Sequence, residues 1–483
     1  MGLRCVALAS AVAAGLVGWT GSAPAQSPDD PFYDWELERY RILREPDSPS
    51  GAILPLPDRP CELAAPVLRA TSLRLDAAGV THPVAADEAD GMRLREGARS
   101  RFWVDGLWPL PVGLRVGLAG RFTAGDGRRS GGTWLERSLI RSGEHTELLV
   151  GLTRSFWGDG NEGSLLLGQT APPLEMVRLR SVRPWRLPRM GAYGRIHASV
   201  FLAYLDDRER TVSFPLLQGT RVEWEPSAWA RLHATRTIML GGAGRTEKLK
   251  LRDLWKIWLA RGENARGKRD YRDTDQKASF GAELRLPASL RPWRWLDGGR
   301  VFYEYAGEDS FEGLLPTAVA HHEGISLIAS GWGLLVEVVD NVDDSNPWYT
   351  HTTYGERAYY YRGYVLGHPM GTDGRSGHLR IWTPAWGAVR AQLWYRHREV
   401  DPHDRGVTAR NEIVGLCLRR DLAGSRALEF ELEAHRNPPV RWRAAVGLRW
   451  GSSGTPVSAA STAAAPEEVV SVAAPPVGGV WVR

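Results

Sequence analysis

The chain has 483 residues, 43% of them hydrophobic and 24% charged, with a formal net charge of +5 and a pI near 9.1. Three cysteines in a chain of this length exclude a disulfide-built scaffold, and no stretch is long and apolar enough for a transmembrane helix. A basic balance suits nucleic acid, lipid phosphate or an acidic polysaccharide, and the N-terminus narrows that choice.

Arg4 precedes an apolar run from Val6 to Val17 and then Ala23-Pro24-Ala25, and the next charge is Asp29. Basic, apolar and small residues in that order predict a secretory signal peptide over residues 1–25. The mature chain then starts near Gln26, outside the cytoplasm, which excludes nucleic acid as a partner. Cys61 and Cys417 survive processing and are candidates for pairing in an oxidising compartment. Residues 26–100 are expected to form a small periplasmic segment, partly helical. Its helices are expected over Asp34 to Arg44 and Ala64 to Gly79, joined by the proline-rich stretch Pro46 to Pro60.

From 101 to 450 the pattern is strand, turn, strand. Leu114 to Phe122, Ile196 to Leu205, Thr220 to Glu225, Val301 to Ala306, Val389 to Arg398 and Glu412 to Arg419 all read as strands. The apolar run from Gly333 to Asp340 is interrupted by Glu337 and reads as another. Trp224, Trp229, Trp394, Tyr395, Trp442 and Trp450 fall near strand ends, as interfacial girdles require. Between Arg245 and Arg272 the chain turns strongly basic, with Lys248, Lys250 and Arg252, and Leu251, Leu254, Ile257 and Trp258 keep helical spacing. That segment is either a solvated loop or an extracellular lid that meets acidic sugar or lipopolysaccharide phosphate. The tyrosine-rich stretch from Tyr349 to His368 is either an interfacial girdle or a sugar-stacking surface.

The clearest signal runs from Arg426 to Trp450. Leu428, Phe430, Leu432 and Ala434 alternate with Glu429, Glu431 and Glu433. After a turn, Val440, Trp442, Ala444, Val446, Leu448 and Trp450 alternate with Arg441, Arg443 and Arg449. A period of two is a strand. One apolar and one charged face fit a soluble sandwich or, inside out, a membrane barrel. The span 101–450 is unusually large for one sandwich. At roughly 20 residues per strand with its connection it holds about 16–18 membrane strands. The fold expected is therefore all-β, a transmembrane antiparallel β-barrel with the small N-terminal periplasmic segment. A lipid-facing Arg costs about 2–4 kcal/mol at mid-membrane, so the arginines belong in the lumen, where they pair with Glu. Residues 451–483, rich in Ala, Pro, Ser and Val, are expected to be a disordered tail.

Catalytic patterns are missing from the sequence. His321-His322-Glu323 lacks the second histidine of a zinc helix, and no Gly-x-Ser-x-Gly elbow occurs. Glu304, Glu308 and Asp309 read better as a charged lumen face than as an acid–base pair. The expectation is a protein that is not an enzyme and takes no cofactor or metal.

Four stretches, in order, resemble the Wzi family of capsule assembly proteins. Trp157-Gly158 followed by Gly163 to Leu179 resembles the family's "WWG…S.LLLSNNA…P…L" strand pair, with Gln169-Thr170-Ala171 where the family has a double Asn. Pro215 to Pro226, leading to Thr235-Arg236, resembles its "L.G.r..f.P…..G..R" hairpin. Val301 to Asp309 resembles "vYgE.ggED", and Tyr360 to His368 resembles "GYTHRG.VLG", with Arg362 on the motif's arginine. The resemblance implies an outer-membrane barrel of about eighteen strands that binds exported capsular polysaccharide or exopolysaccharide and anchors it at the surface. The alternative is a porin-class channel for small or anionic solutes. Ligand-binding candidates are Trp157, Gln169, Glu304, Glu308, Asp309, Tyr361, Arg362 and His368, with Lys248, Lys250 and Arg252 from the basic segment. Expected partners are the polysaccharide and the lipid and lipopolysaccharide of the outer membrane, and a monomer is expected.

Overall fold

The computed structural model describes residues 67–79, 97–109, 114–125, 134–142, 145–168, 172–181, 184–185, 194–208, 210–227, 229–243, 245, 254–258, 273–286, 295–311, 315–342, 348–400, 409–422, 426–436 and 441–450. The predicted signal peptide, the helix expected over Asp34 to Arg44, Cys61 and the tail 451–483 lie outside the described residues.

Among these residues eighteen strands form one sheet. They are β1 (Val67–Gly79), β2 (Gly97–Pro109), β3 (Leu114–Gly125), β4 (Trp134–Ser142), β5 (Thr146–Thr153), β6 (Leu174–Ser181), β7 (Arg195–Tyr204), β8 (Leu216–Ser227), β9 (Ala230–Leu240), β10 (Asp275–Arg285), β11 (Leu296–Phe311), β12 (Leu315–Ala329) and β13 (Trp332–Asp340), then, after a short hairpin β14 (Tyr360–Tyr361) and β15 (Tyr364–Val365), β16 (Gly374–Trp382), β17 (Val389–Val400), β18 (Ala409–Leu422), β19 (Arg426–Arg436) and β20 (Arg441–Trp450). Each wall strand pairs antiparallel with the next, β13 pairing with β16 across the hairpin. β20 pairs back onto β1, with Leu448 opposite Leu73. The sheet therefore closes into a barrel without edges.

The wall is inside out relative to a soluble sandwich. On β19, Leu428, Phe430 and Leu432 are 42–44% exposed, while Glu429, Glu431 and Glu433 are buried on the lumen side. The same holds on β9, where Leu232 is exposed and Arg231 and His233 are buried. Apolar groups facing out and charge facing in are stable only with hydrocarbon around the barrel. The connections 154–173, 205–215, 241–274 and 341–373 share one rim. A tight turn at 330–331 marks the other. In membrane barrels the long loops are extracellular and the short turns periplasmic. Trp185, Trp229, Trp295, Trp332 and Trp386 are exposed beside the periplasmic connections, forming an aromatic girdle.

Three expectations change. The helix predicted over Ala64 to Gly79 is strand β1, and the barrel begins at Val67 rather than Arg101. The alternation Leu73-Arg74-Leu75-Asp76-Ala77 has period two, which a helix does not satisfy. Trp394 joins no girdle: it is buried towards the lumen against Gly415, because its neighbour Tyr395 takes the outward face and adjacent strand residues alternate. Cys417 is buried with Trp382 and Trp394.

Candidate functional site

The connection after β5 turns back into the barrel, and nearly all of its described residues from Ser155 to Gly168 are buried. Asp159 accepts a hydrogen bond from Arg231 Nη2 at 2.6 Å and pairs with His233 Nε2 at 2.9 Å. Arg300 Nη2 donates to its carbonyl at 2.9 Å. Arg231 and Arg300 lie near the periplasmic ends of β9 and β11, so the segment dives most of the way down the lumen. Three residues on, Glu162 accepts from Arg396 at 2.8 Å and Arg398 at 3.2 Å on β17. His378 and Arg380 of β16 stand 3.2 and 3.5 Å from it. The Asn161 and Glu162 amides donate to the two oxygens of Glu337 on β13, at 2.6 and 2.9 Å. β16 and β17 lie half-way round the ring from β5 and β6. The segment thus spans the lumen from one wall to the opposite one.

Burial raises the pKa of Asp159, but Arg231, His233 and Arg221 outweigh it and hold the carboxyl well below the usual range. At Glu162 burial is outweighed in the same way by Arg396, His378, Arg398 and Arg380. Both therefore stay ionised and act as fixed acceptors. Gly160 sits so close to the His322 ring that a Cβ there would run into it, which is why the crossing needs glycine between its two anchors.

Above the crossing the loops form a second, apolar core. Leu165, Leu166 and Leu167 pack with Trp348, Tyr349, Tyr354, Tyr359 and Tyr361, all at most 1% exposed. Tyr349 donates its hydroxyl to Leu165 O at 2.7 Å and accepts from the His368 amide at 2.8 Å. The Gly168 amide donates to Leu366 O at 2.7 Å. The connection after β7 locks on from outside, with Arg210 Nε donating to Ala358 O at 3.0 Å and the Thr211 amide to Tyr354 O at 3.0 Å.

The outer surface of this cap is polar and arginine-rich. The β14–β15 turn is Arg362-Gly363, with φ of 51° and 85°, the left-handed pair of a type I′ turn. It presents Arg362 outward, bonded to Asp206 at 2.7 Å through Nη2, while its amide donates to Asp207 at 2.8 Å. Tyr361 donates to Asp206 at 2.6 Å. Burial raises the Asp206 pKa, but hydrogen bonds from Arg362 and Tyr361 outweigh it and lower the carboxyl. Guanidinium groups also lie over aromatic rings: Arg362 over Tyr361 at 5.1 Å, Arg208 over Phe214 at 5.5 Å and Arg357 over Tyr360 at 5.6 Å.

The structure separates the sequence candidates. Arg362 is at the outer surface with Tyr361 beneath it. Trp157 and His368 are buried in the plug, Trp157 against Phe201 with ring centroids 5.0 Å apart. Burial first, and then the neighbouring His322 and Arg398, push the His368 pKa well below the usual imidazole value, so it is neutral. Glu304 and Glu308 are buried on the lumen face of β11, and Glu308 accepts from the Tyr349 amide at 2.7 Å. Asp309 follows in the same strand. Gln169, Lys248, Lys250 and Arg252 lie outside the described residues. The tyrosines were expected to be a girdle or a sugar platform. Tyr349, Tyr354, Tyr359 and Tyr361 are neither, because their rings are the core that holds two loops together. Asp159 and Glu162 were missed. Gly158-Asp159-Gly160 reads as a turn, and the one available signal was a glycine-flanked carboxylate pair in a chain whose lumen needs counter-charges.

The family model for capsule assembly protein Wzi matches residues 132–462. The chain belongs to the Wzi family. Among solved structures it is similar to Wzi of Escherichia coli, described as an outer-membrane protein involved in group 1 capsule assembly and a carbohydrate-binding β-barrel. The TM-score is 0.62 at 18% identity, over 89% of this chain and 90% of that one. This likeness shows the fold. Pseudomonas aeruginosa OpdQ (TM-score 0.48, 8% identity, 80% of this chain and 98% of that one) and Acinetobacter baumannii OccAB4 (0.48, 8%, 81% and 99%) are fainter and bear on nothing further. No curated protein matches the chain. This Wzi-family member is an outer-membrane barrel. Among its described residues no group of three or more His, Cys, Asp or Glu is placed to hold a metal ion.

Proposed function

We propose that this Wzi-family barrel binds exported capsular polysaccharide or exopolysaccharide at its extracellular cap and helps assemble or anchor it at the cell surface, without catalysing a reaction. The observation that carries this reading is the crossing of the lumen by the connection after β5, tied to the far wall by the buried ion pairs of Asp159 with β9 and of Glu162 with β17. A porin-class channel keeps its lumen passable, whereas here the chemistry available to a ligand is on the outside. Arg362, Asp206 and Arg357 offer planar donors and acceptors for sugar hydroxyls and uronic carboxylates. The partly exposed Tyr360 offers a ring for stacking.

The test is polysaccharide partitioning in a deletion strain complemented with the parent or with Arg362→Ala/Arg357→Ala. Cell-bound and released polymer are measured at matched total. A bound fraction that collapses in the deletion and recovers with the parent but not the double variant supports the reading. Unchanged partitioning in the deletion strain refutes it.

A further inference from the structure

The basic connection between β9 and β10 was expected to be either a solvated loop or a lid over the barrel mouth. Its short helix α1 (Leu254–Trp258) lies elsewhere. Ile257 is buried with Ile238 and Leu240, and Leu216 packs against the same cluster. Ile238 and Leu240 continue the row of Leu232 and Ala234, which is the lipid-facing row of β9. The helix is therefore docked on the outer wall. Two hydrogen bonds hold it there. Arg236, on the same outward row, donates through Nη1 to Trp258 O at 2.5 Å, and Gln276 of β10 donates to Ile257 O at 3.5 Å.

The height is set by the strand. Ile238 is eight residues beyond Ala230, at the periplasmic end of β9. At ~3.4 Å per residue and a tilt of ~40° that is about 20 Å of rise, near the top of an apolar band about 25 Å tall. At that level Trp255 and Trp258 stand 64% and 44% exposed. Their rings are stacked at 5.4 Å with 14° between planes. Lys256 is exposed between them. In sequence the flanks are basic, with Lys248, Lys250 and Arg252 before the helix and Arg261 after it.

We propose that α1 is a docking seat for the phosphorylated lipid of the outer leaflet. The paired indoles enter the headgroup boundary beside the acyl chains, and Lys256 meets a headgroup phosphate. Arg236 is a positioning residue that holds the helix end. Tryptophan is at home at the boundary because its ring is apolar and its N–H polar. A lysine near an anionic lipid surface strengthens binding roughly fivefold. A soluble polysaccharide would approach the cap. The seat opens sideways into the bilayer, continuous with the lipid-facing wall.

The test titrates the purified full chain, in detergent, with a bis-phosphorylated diglucosamine lipid and with the same lipid stripped of phosphate, read by native mass spectrometry. The parent is expected to hold the phosphorylated lipid about tenfold more tightly than the stripped one. Lys256→Ala should weaken the phosphorylated lipid about fivefold and leave the stripped lipid unchanged. Trp255→Ser/Trp258→Ser should weaken both at least tenfold, while Trp255→Phe/Trp258→Phe retains most of the binding. Heat-modifiable electrophoretic migration confirms that each barrel is folded, and the altered side chains point away from the wall. Parent-like titrations for the serine and alanine variants would overturn the proposal. So would displacement of the lipid by an acidic oligosaccharide lacking acyl chains.

Discussion

Replacing Glu162 by alanine removes the acceptor shared by Arg396 and Arg398, to which Arg380 also stands within 3.5 Å. The arginines stay charged, so the variant leaves them buried with one counter-charge fewer. Breaking a buried pair from one side costs about 3–5 kcal/mol. The anchor at Asp159 remains, and so does the Glu337 clasp, which is made to main-chain amides and survives the substitution. The loss falls on the equilibrium between the crossed and withdrawn loop. At about 1.4 kcal/mol per tenfold change, the withdrawn population rises by roughly two to four orders of magnitude. Planar-bilayer recording reads this directly. The parent is expected to be almost silent and Glu162→Ala to flicker between closed and conducting levels, with Glu162→Gln intermediate because it keeps one acceptor oxygen. A Glu162→Ala barrel that is folded, carries both arginines and is as silent as the parent would refute the idea that this ion cluster holds the crossing in place.

Gly160→Val should open the same path by another route, since its side chain collides with His322, and it should raise conductance without altering any charge. Phe280→Arg puts a charge on the lipid-facing row near the middle of β10, where the phenyl ring is 59% exposed; folding into vesicles should lose about 2–4 kcal/mol, measured by denaturant titration. Acid should release the plug late. Asp159 and Glu162 ionise at lower pH in the barrel than in the unfolded chain, so below about pH 4 the unfolded chain binds more protons. Their contribution is complete above that range and falls as pH drops through it, and bilayer conductance from these two groups should stay flat between pH 7 and 5 and rise below about pH 4. Arg362→Ala alone should lower retention of an acidic polymer severalfold in a cell-binding assay and leave thermal stability nearly unchanged, because the Arg362–Asp206 pair is solvent-exposed.

Much of the wall could be read locally. A strand in a membrane barrel repeats every two residues, and each strand carries its own apolar and charged rows, so Val389 to Arg398 and Glu412 to Arg419 needed no partner to be recognised. The helix expected over Ala64 to Gly79 failed because alanine and leucine favour helix in isolation, whereas the period-two alternation over Leu73 to Ala77 pairs as a strand with both β2 and β20. The candidate site was less legible. Arg362 was named only for its place in the family motif, and the tyrosines around it could not be sorted by composition. A tyrosine row at a lipid boundary and a tyrosine core between two loops use the same residue.

Alternating polarity and four family motifs determined the class of this protein: a transmembrane antiparallel barrel of the capsule assembly kind. The tertiary structure alone decided that the barrel begins at Val67, that β20 closes onto β1, and that the basic helix lies on the outer wall. It alone decided that Asp159 and Glu162, on a connection that leaves β5, reach across the lumen to β9 and β17. Local polarity fixes what each strand can face, because its two rows are set by the pleat. The partners of a loop carboxylate lie tens to hundreds of residues away, and only chain closure brings their charges within bonding distance.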